Sequence, residues 1–281
     1  MDVVFGPVQS WRLGRALCVD VVASDQKYCT FDCIYCPQGK RTRAVRRRHW
    51  LVGTTAVQAS LESVEHEGAN LVAFTGAGEP TLASNLGQVM DMARSMLGLP
   101  VVVLTNSSLM PRDDVKRDLE KADIVVVKLD AHNEELYEAI NRPFVRYSLS
   151  EIVHALREFR RGFTGKLIVQ MTVVEENKPY VHRMASIAGD LLPDELQVSL
   201  RVPWWVACSA STEVERICSS FAGITATGLS ADGPSWEQIV DAGELHRSGR
   251  CNAEVMLMAV MQHVERIDSS QEHKARRRIK P

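Results

Sequence analysis

The sequence predicts an α/β protein: a partial, TIM-like (β/α)6 barrel of parallel strands followed by a C-terminal extension. Three observations carry this. Apolar, β-branched runs at 70–75, 100–105, 123–128, 166–172 and 195–200 alternate with helical patterns, and near-continuous runs of this kind suit strands covered on both faces. With a strand-like stretch at 16–22 they make six β/α units between about residues 14 and 220, short of the eight that close a full barrel. The 281 residues, 45% hydrophobic and 24% charged, are enough for one large domain of this type. We divide the chain into a barrel core over 1–205 and an extension over 206–281 that ends in the basic run Lys274-Ala-Arg-Arg-Arg278-Ile-Lys280.

Taken in order, residues 5–15 read as a turn-rich opening. In the strand that follows, Cys18 is expected as a small buried residue. A helix is expected near 55–67. The helix near 82–97 puts Leu82, Leu86, Val89, Met90, Ala93, Met96 and Leu97 on one stripe, which makes its methionines core residues. The helix over 149–161 opens with the capping box Ser148…Glu151. It buries Ile152, Leu156 and Phe159, carries Arg160 and Arg161 in its last turn and stops at Gly162. Beyond about 206 the alternation decays, leaving a strand candidate at 223–230 and a helical pattern over 235–266.

Charge is nearly balanced, 33 Lys and Arg against 35 Asp and Glu, so no global pull toward nucleic acid exists. Seven cysteines, three of them in one loop, argue for a reducing compartment rather than a disulfide framework. The start lacks a basic segment followed by an apolar one, and no apolar run reaches the ~18 residues of a membrane span. A soluble, cytoplasmic protein without a membrane partner is expected.

The chemistry gathers at Cys29-Thr-Phe-Asp-Cys33-Ile-Tyr-Cys36. Three thiolates from so short a loop can hold three irons of a cubane [4Fe-4S] cluster and leave the fourth iron open to a chelating small molecule. A zinc knuckle is the alternative; it wants four closed ligands, and His49 is the only close fourth candidate. The next ten residues, 40–49, hold six Lys or Arg. They read either as a patch for a phosphate-bearing substrate or as a solvated face beside an anionic cofactor.

In parallel barrels the loops leaving the C-terminal strand ends build the active site. The second strand ends in Gly76-Ala77-Gly78-Glu79, where glycines admit a ligand to the backbone and a carboxylate can hold an ammonium group. Lys128 and Asp130, two apart, point to one side of the fourth strand. They read as contacts to a cofactor's carboxylate and ribose, or as a surface lysine and a helix-capping aspartate. Gln170 shares a face with Thr172 on the fifth strand, and Arg201 shares one with Ser199 on the sixth. Each is either a ligand contact or a residue satisfied by its neighbours. No residue is assigned as catalytic in its own right.

The cysteine spacing, with Tyr35 just before the last cysteine, resembles the signature of the radical S-adenosylmethionine (radical SAM) superfamily. Gly76, Gly78 and Glu79 resemble that superfamily's motif for the methionine amino group of S-adenosylmethionine (SAM), with Ala77 where a second glycine is usual. Thr105-Asn106-Ser107 resembles its Thr-Asn-Gly turn. The stretches 6–15, 76–82, 104–109, 129–131 and 140–143 resemble, in that order, the Fe-S oxidoreductases akin to wyosine-type tRNA synthases. Cys18, Cys208, Cys218 and Cys251 do not form the second cysteine set of the wyosine synthases proper. The resemblance implies one [4Fe-4S] cluster on Cys29, Cys33 and Cys36. SAM would lie against Tyr35, Gly76, Gly78, Glu79, Asn106, Lys128, Asp130, Gln170 and Arg201. It also implies a flavodoxin- or ferredoxin-like electron donor and reductive cleavage of SAM to a 5′-deoxyadenosyl radical that takes hydrogen from a substrate. The basic clusters favour tRNA or another RNA as that substrate; a peptide or protein is the alternative, and a metal-binding protein without turnover a more distant one.

Overall fold

In the computed structural model of the chain, the described residues are 3–10, 13–24, 27–36, 38 and 42–200, with a short strand at 226–228. The strands are β1 (Val4–Ser10), β2 (Gly14–Val19), β3 (Lys27–Cys29), β4 (Thr42–Ala44), β5 (Leu71–Phe74), β6 (Val101–Thr105), β7 (Ile124–Lys128), β8 (Lys166–Val173), β9 (Glu195–Leu200) and β10 (Ala226–Gly228). The α-helices are α1 (Thr54–Ser63), α2 (Leu86–Leu97), α3 (Asp113–Leu119), α4 (Glu134–Asn141), α5 (Leu149–Gly162) and α6 (Val181–Asp190). Eight strands form one sheet in the order β1-β2-β5-β6-β7-β8-β9-β10, while β3 and β4 pair separately. Only β1 runs antiparallel to its neighbour; every other pairing is parallel. The expected six parallel strands are β2, β5, β6, β7, β8 and β9, with a helix in each connection, and they make a curled half-barrel.

The opening departs from expectation. Residues 4–10 form an edge strand, with a register shift between Phe5 and Val8 around Gly6 and Pro7. Proline is tolerated at such an edge or bulge because no ladder donor is needed there, so turn-like composition conceals a strand. β10 pairs with β9 inside the 223–230 candidate. Otherwise the extension lies outside the described residues, as do Arg201, Trp204, Trp205, the 235–266 helical pattern and the basic tail.

Side-chain parity sorts the sheet into two faces. Leu17, Val19, Val72, Phe74, Val101, Val103, Val125, Val127, Val169, Met171 and Val198 pack with the helices in one large core. The opposite face carries Ala16, Cys18, Ala73, Val102, Val126 and Ile168 in a second cluster that, among the described residues, contains no helical residue. Its rows change character along the strands. Cys18 is followed two residues on by Asp20, Leu104 by Asn106, Val126 by Lys128, and Ile168 by Gln170. Apolar residues therefore floor the half-barrel, and polar ones line its mouth.

The Ser148 hydroxyl accepts from Glu151 N at 3.2 Å and Ser148 N donates to the Glu151 carboxylate at 2.8 Å, closing the capping box on α5. α5 ends at Gly162, its last residue, and Phe163 takes the cap in extended backbone, its ring stacked on Phe159. Met90 is fully buried, whereas Met96 is 38% exposed. Six residues turn the helix by about 600°, about 120° short of two full turns, so Met96 leaves the stripe it was assigned to. Among the described residues, no helix is long and apolar enough to cross a membrane.

Candidate active site

The cysteine loop is sewn to the end of α4. Asp32 N donates to Asn141 O at 3.0 Å, Ile34 N to Ile140 O at 2.9 Å, and Phe144 N to Thr30 O at 2.8 Å; the Phe31 ring meets Tyr137 edge-on. The four described cysteines, 18, 29, 33 and 36, are free thiols. Cys18 is buried in the floor of the half-barrel, apart from the loop, as its apolar setting predicts.

Donors converge on the loop thiols. Asn106, just past β6, donates its side-chain amide to Cys29 Sγ at 3.4 Å and to the Thr30 hydroxyl at 2.8 Å. Asn141, the last residue of α4, donates to Cys33 Sγ at 3.5 Å and to the Asp130 carboxylate at 3.2 Å. Lys27, two residues before Cys29 on the same side of β3, is 6% exposed, and its Nζ has no hydrogen-bond partner among the described residues. Its nearest carboxylate, Asp32, is 3.5 Å away. Burial alone would lower the Lys27 pKa, but Cys36, Cys29 and Cys33 more than offset it and leave the pKa raised. Burial pushes the Cys29 thiol up to about 12, with Glu79 and Cys33 adding to it. Cys33 goes up to about 11 by burial and the Asp130 charge, against the pull of Asn141, Lys128 and Tyr35. A thiolate in so dry a pocket needs a cationic or metal partner. A buried ammonium without a hydrogen-bond partner among the described residues and two amides turned toward sulfur suit an anionic iron-sulfur group held by these cysteines. Among the described residues, no group of three His, Cys, Asp or Glu is placed to hold a single metal ion.

The glycine motif is filled largely by the chain itself. A Cβ on Gly76 would collide with the Asp20 carboxylate, and one on Gly78 with the Tyr28 carbonyl oxygen. Asp20, beyond the end of β2, accepts from Ala77 N at 2.9 Å and from Val22 N at 3.0 Å. Glu79 N donates to Tyr28 O at 2.9 Å, tying the motif to β3. The glycines thus admit other parts of the backbone and a carboxylate. Glu79 itself is 1% exposed. Its Oε1 accepts from Thr81 N at 3.1 Å and from the Thr81 and Thr105 hydroxyls at 2.6 Å; its Oε2 accepts from Asn106 N at 2.7 Å. Burial raises its pKa against the lowering effect of these donors. The carboxylate is a brace between the ends of β5 and β6.

Asp130 braces the other side. Its carboxylate accepts from Tyr35 OH, Asn141 Nδ2 and Thr172 N (2.7 Å), and lies 3.3 Å from Lys128 Nζ. Lys128 also donates to the Thr172 hydroxyl and stands 4.9 Å from the centre of the Tyr35 ring. Burial and the Asp130 charge raise the Tyr35 pKa, so the phenol stays protonated and donates. Lys128 is therefore no free surface cation, and Asp130 caps no helix; Asn133 caps α4. Gln170 lies in register between Lys128 and Gln197 and donates to Gln197 at 3.4 Å. A small pocket lined by Phe31, Asn106, Lys128, Asp130, Tyr137 and Asn141 opens among these groups.

The basic run divides. Arg46 and Arg47 are exposed, but the Arg48 side chain is 7% exposed and pairs with Asp114 and Asp118. It also donates to Thr81 O at 2.9 Å and Ala83 O at 2.7 Å. The bridge between His49 and Ala83 sets this segment beside the Glu79 turn, with Trp50 59% exposed. Lys40 and Arg41 lie outside the described residues.

Residue reasoning missed Lys27, Asp20 and Asn177, and used Asn141 only within a resembling stretch. Lys27 was legible as the residue two before Cys29 in an extended segment. Asn177, fully buried, donates to Asp130 O and Thr172 O and carried no signal, because both partners are backbone atoms.

The Radical SAM superfamily profile matches residues 24–186, more than half of the chain, including the cysteine loop, the Gly76–Glu79 turn, Asn106, Lys128, Asp130 and Gln170. "UPF0026 protein slr1464" of Synechocystis sp. is 32% identical over 197 residues, 70% of this chain and 74% of that protein. Among solved structures, SuiB of Streptococcus suis superposes with a TM-score of 0.58 at 13% identity, covering 76% of this chain. A radical SAM methyltransferase from Sphaerobacter thermophilus gives 0.52 at 19%, covering 78%. This chain spans about half of SuiB and two thirds of the methyltransferase. A half-barrel with three free cysteines gathered at its mouth, and a family match over that same segment, lead to one conclusion: the chain belongs to the radical SAM superfamily, whose enzymes use a [4Fe-4S] cluster and SAM.

Proposed function

We propose that this radical SAM enzyme acts on an RNA substrate, with Cys29, Cys33 and Cys36 holding the cluster. When bound, the cluster and SAM supply a 5′-deoxyadenosyl radical, formed with one electron from a flavodoxin- or ferredoxin-like donor. The carrying observation is the gathering, at one mouth, of three free cysteines with the Glu79 and Asp130 braces on either side. The chain's own part is to bind, orient and keep dry. Lys128, fixed by Asp130 and Thr172 over the Tyr35 ring, offers an ammonium to a carboxylate in the pocket. The Gly76–Ala77 backbone, fixed by Asp20, offers peptide groups to an ammonium; Glu79 supports that turn and keeps one lone pair of Oε2 for it. Gln170 holds the row beneath, and Arg201, outside the described residues, is assigned to the same mouth only because it follows Leu200 in the sequence.

For the substrate, the supporting observation is the exposed set Arg46, Arg47 and Trp50, held beside the Glu79 turn by the anchored Arg48. Cations for phosphates and an aromatic face for a base suit an unpaired RNA segment. The motifs resembling wyosine-type tRNA synthases agree with it. The competing reading is a peptide substrate, as in the structure of SuiB bound to its precursor peptide. The test has two parts. Reconstituted protein and a one-electron reductant should release 5′-deoxyadenosine from SAM. Binding to bulk tRNA should be salt-dependent and weaken in Arg46→Ala/Arg47→Ala, with about one slope unit lost per phosphate contact. Absence of 5′-deoxyadenosine rejects the activity; salt-independent or absent tRNA binding moves the peptide reading ahead.

A further inference from the structure

Two of the loop cysteines have a side-chain amide from outside the C-x3-C-x2-C loop, and a buried lysine stands two residues before the first. Asn106 Nδ2 lies 3.4 Å from Cys29 Sγ and Asn141 Nδ2 lies 3.5 Å from Cys33 Sγ. The Lys27 ammonium, two residues before Cys29 on β3, is buried and has no hydrogen-bond partner among the described residues. The three come from separate elements: β3, the end of β6 and the end of α4. Neither amide is free to turn away. Asn106 Oδ1 accepts from Ser108 N at 3.0 Å, and Asn141 is held by Asp130.

We propose that Lys27, Asn106 and Asn141 are a redox-tuning shell that raises the reduction potential of the cluster held by Cys29, Cys33 and Cys36. The proposal rests on the radical SAM reading. One-electron reduction adds negative charge to a group that three thiolates already make anionic. Hydrogen bonds to the sulfurs and a neighbouring fixed cation favour the reduced state and shift the potential upward. The carboxylates do not cancel this. Glu79 and Asp130 are engaged with protein donors, and Asp32, though 3.5 Å from Lys27, is partly exposed to solvent. The consequence is functional: the cluster becomes reducible by a donor of only moderate potential. These are positioning and tuning residues, not catalytic ones.

The experiment is a potentiometric titration, followed by electron paramagnetic resonance, of anaerobically reconstituted full-length wild type, Lys27→Met, Lys27→Arg, Asn106→Leu and Asn141→Leu, each with iron and sulfide counted. With iron content unchanged, Lys27→Met should lower the equilibrium constant for one-electron reduction at least tenfold, a fall of about 59 mV. Lys27→Arg should restore most of it, and each amide variant should shift it in the same direction by less. A Lys27→Met potential equal to wild type at full iron load overturns the proposal. If Lys27→Met fails to load iron, the amide variants decide: a lowered potential in both sustains it, and unchanged potentials overturn it. A wild type with no cluster signal refutes the assignment of the cluster to Cys29, Cys33 and Cys36 instead, so the two failures are distinct.

Discussion

Removing the Glu79 carboxylate separates a brace from a simple ligand contact. It sits 1% exposed and accepts four hydrogen bonds, two from the backbone amides of Thr81 and Asn106 and two from the hydroxyls of Thr81 and Thr105. In Glu79→Ala the hydroxyls can rotate toward other acceptors, but the two buried amides cannot. Each stranded donor costs about 1–3 kcal/mol, so the loss is roughly 2–6 kcal/mol, less whatever desolvation of the ionised carboxylate had cost the wild type. Glu79→Gln keeps an acceptor for the Thr81 and Thr105 donors but turns an NH2 group toward Asn106 N, so it strands about one donor. At about 2–4 °C per kcal/mol for a domain near this size, a central loss of about 4 kcal/mol lowers the melting temperature by about 8–16 °C in Glu79→Ala. Glu79→Gln should lie between that and wild type. Thermal unfolding of the apo proteins, paired with SAM binding to the reconstituted ones, reads both effects. The reasoning is refuted if Glu79→Ala melts within about 2 °C of wild type while losing SAM affinity. The carboxylate would then be a ligand contact and nothing more.

Three further outcomes are expected. Reconstituted protein should hold about four irons and four sulfides, lost in Cys33→Ala and retained in Cys18→Ala; full iron in the Cys33 variant refutes the ligand assignment. Arg48→Ala should lower thermal stability by about 2–4 kcal/mol, since it strands two carbonyls and breaks a partly buried ion-pair cluster, without changing the salt slope of RNA binding by more than its stability loss explains. The neighbouring Arg46→Ala/Arg47→Ala variant should do the reverse. Asp114 is held down to about 2 by the side chains of Arg112 and Arg48; a depressed carboxylate contributes stability above its unfolded value, lost as pH falls through the folded one. The stability gap between wild type and Asp114→Asn in urea should therefore be constant above pH 4 and shrink between pH 4 and 2.

The six parallel strands were legible because most are apolar runs, β-branched in β6, β7 and β8, that bury both faces, a property written in consecutive residues. β1 was not, since an edge strand tolerates the Gly-Pro pair that reads as a turn. β3 was not either: three residues carry too little pattern to separate a strand from a loop. At the site, period-two spacing brought Lys128 and Asp130 to one face correctly. Their partners were hidden, because Tyr35 stands 95 residues from Asp130 in the chain and Thr172 stands 44 from Lys128. Gly76 and Gly78 were legible as points of close approach. What approaches them, Asp20 and the Tyr28 carbonyl, is set by how β2 and β3 lie against the turn.

These contacts amount to a rule for the mouth of this half-barrel. Asp20 joins the end of β2 to the turn after β5, Glu79 joins that turn to the end of β6, and Asp130 joins β7 to β8, to α4 and to Tyr35. Three buried carboxylates are thus each engaged by backbone amides or side-chain donors of a neighbouring strand end. The groups that face the cysteines are donors: one ammonium and two amides. Had a carboxylate stood in that inner layer, the thiolates and any anionic group on them would be destabilised by like charge. With acids set back and already hydrogen-bonded, their negative charge is partly compensated before it reaches the sulfurs, while Asn106 and Asn141 act at contact distance and Lys27 from its buried place on β3. The same acids hold the donors in place, since Asn141 is oriented by Asp130 and the Asn106 backbone by Glu79. Rigidity of the mouth and polarity toward the cysteines are therefore one arrangement, which a change at Asp130 or Glu79 would disturb even though neither touches a sulfur.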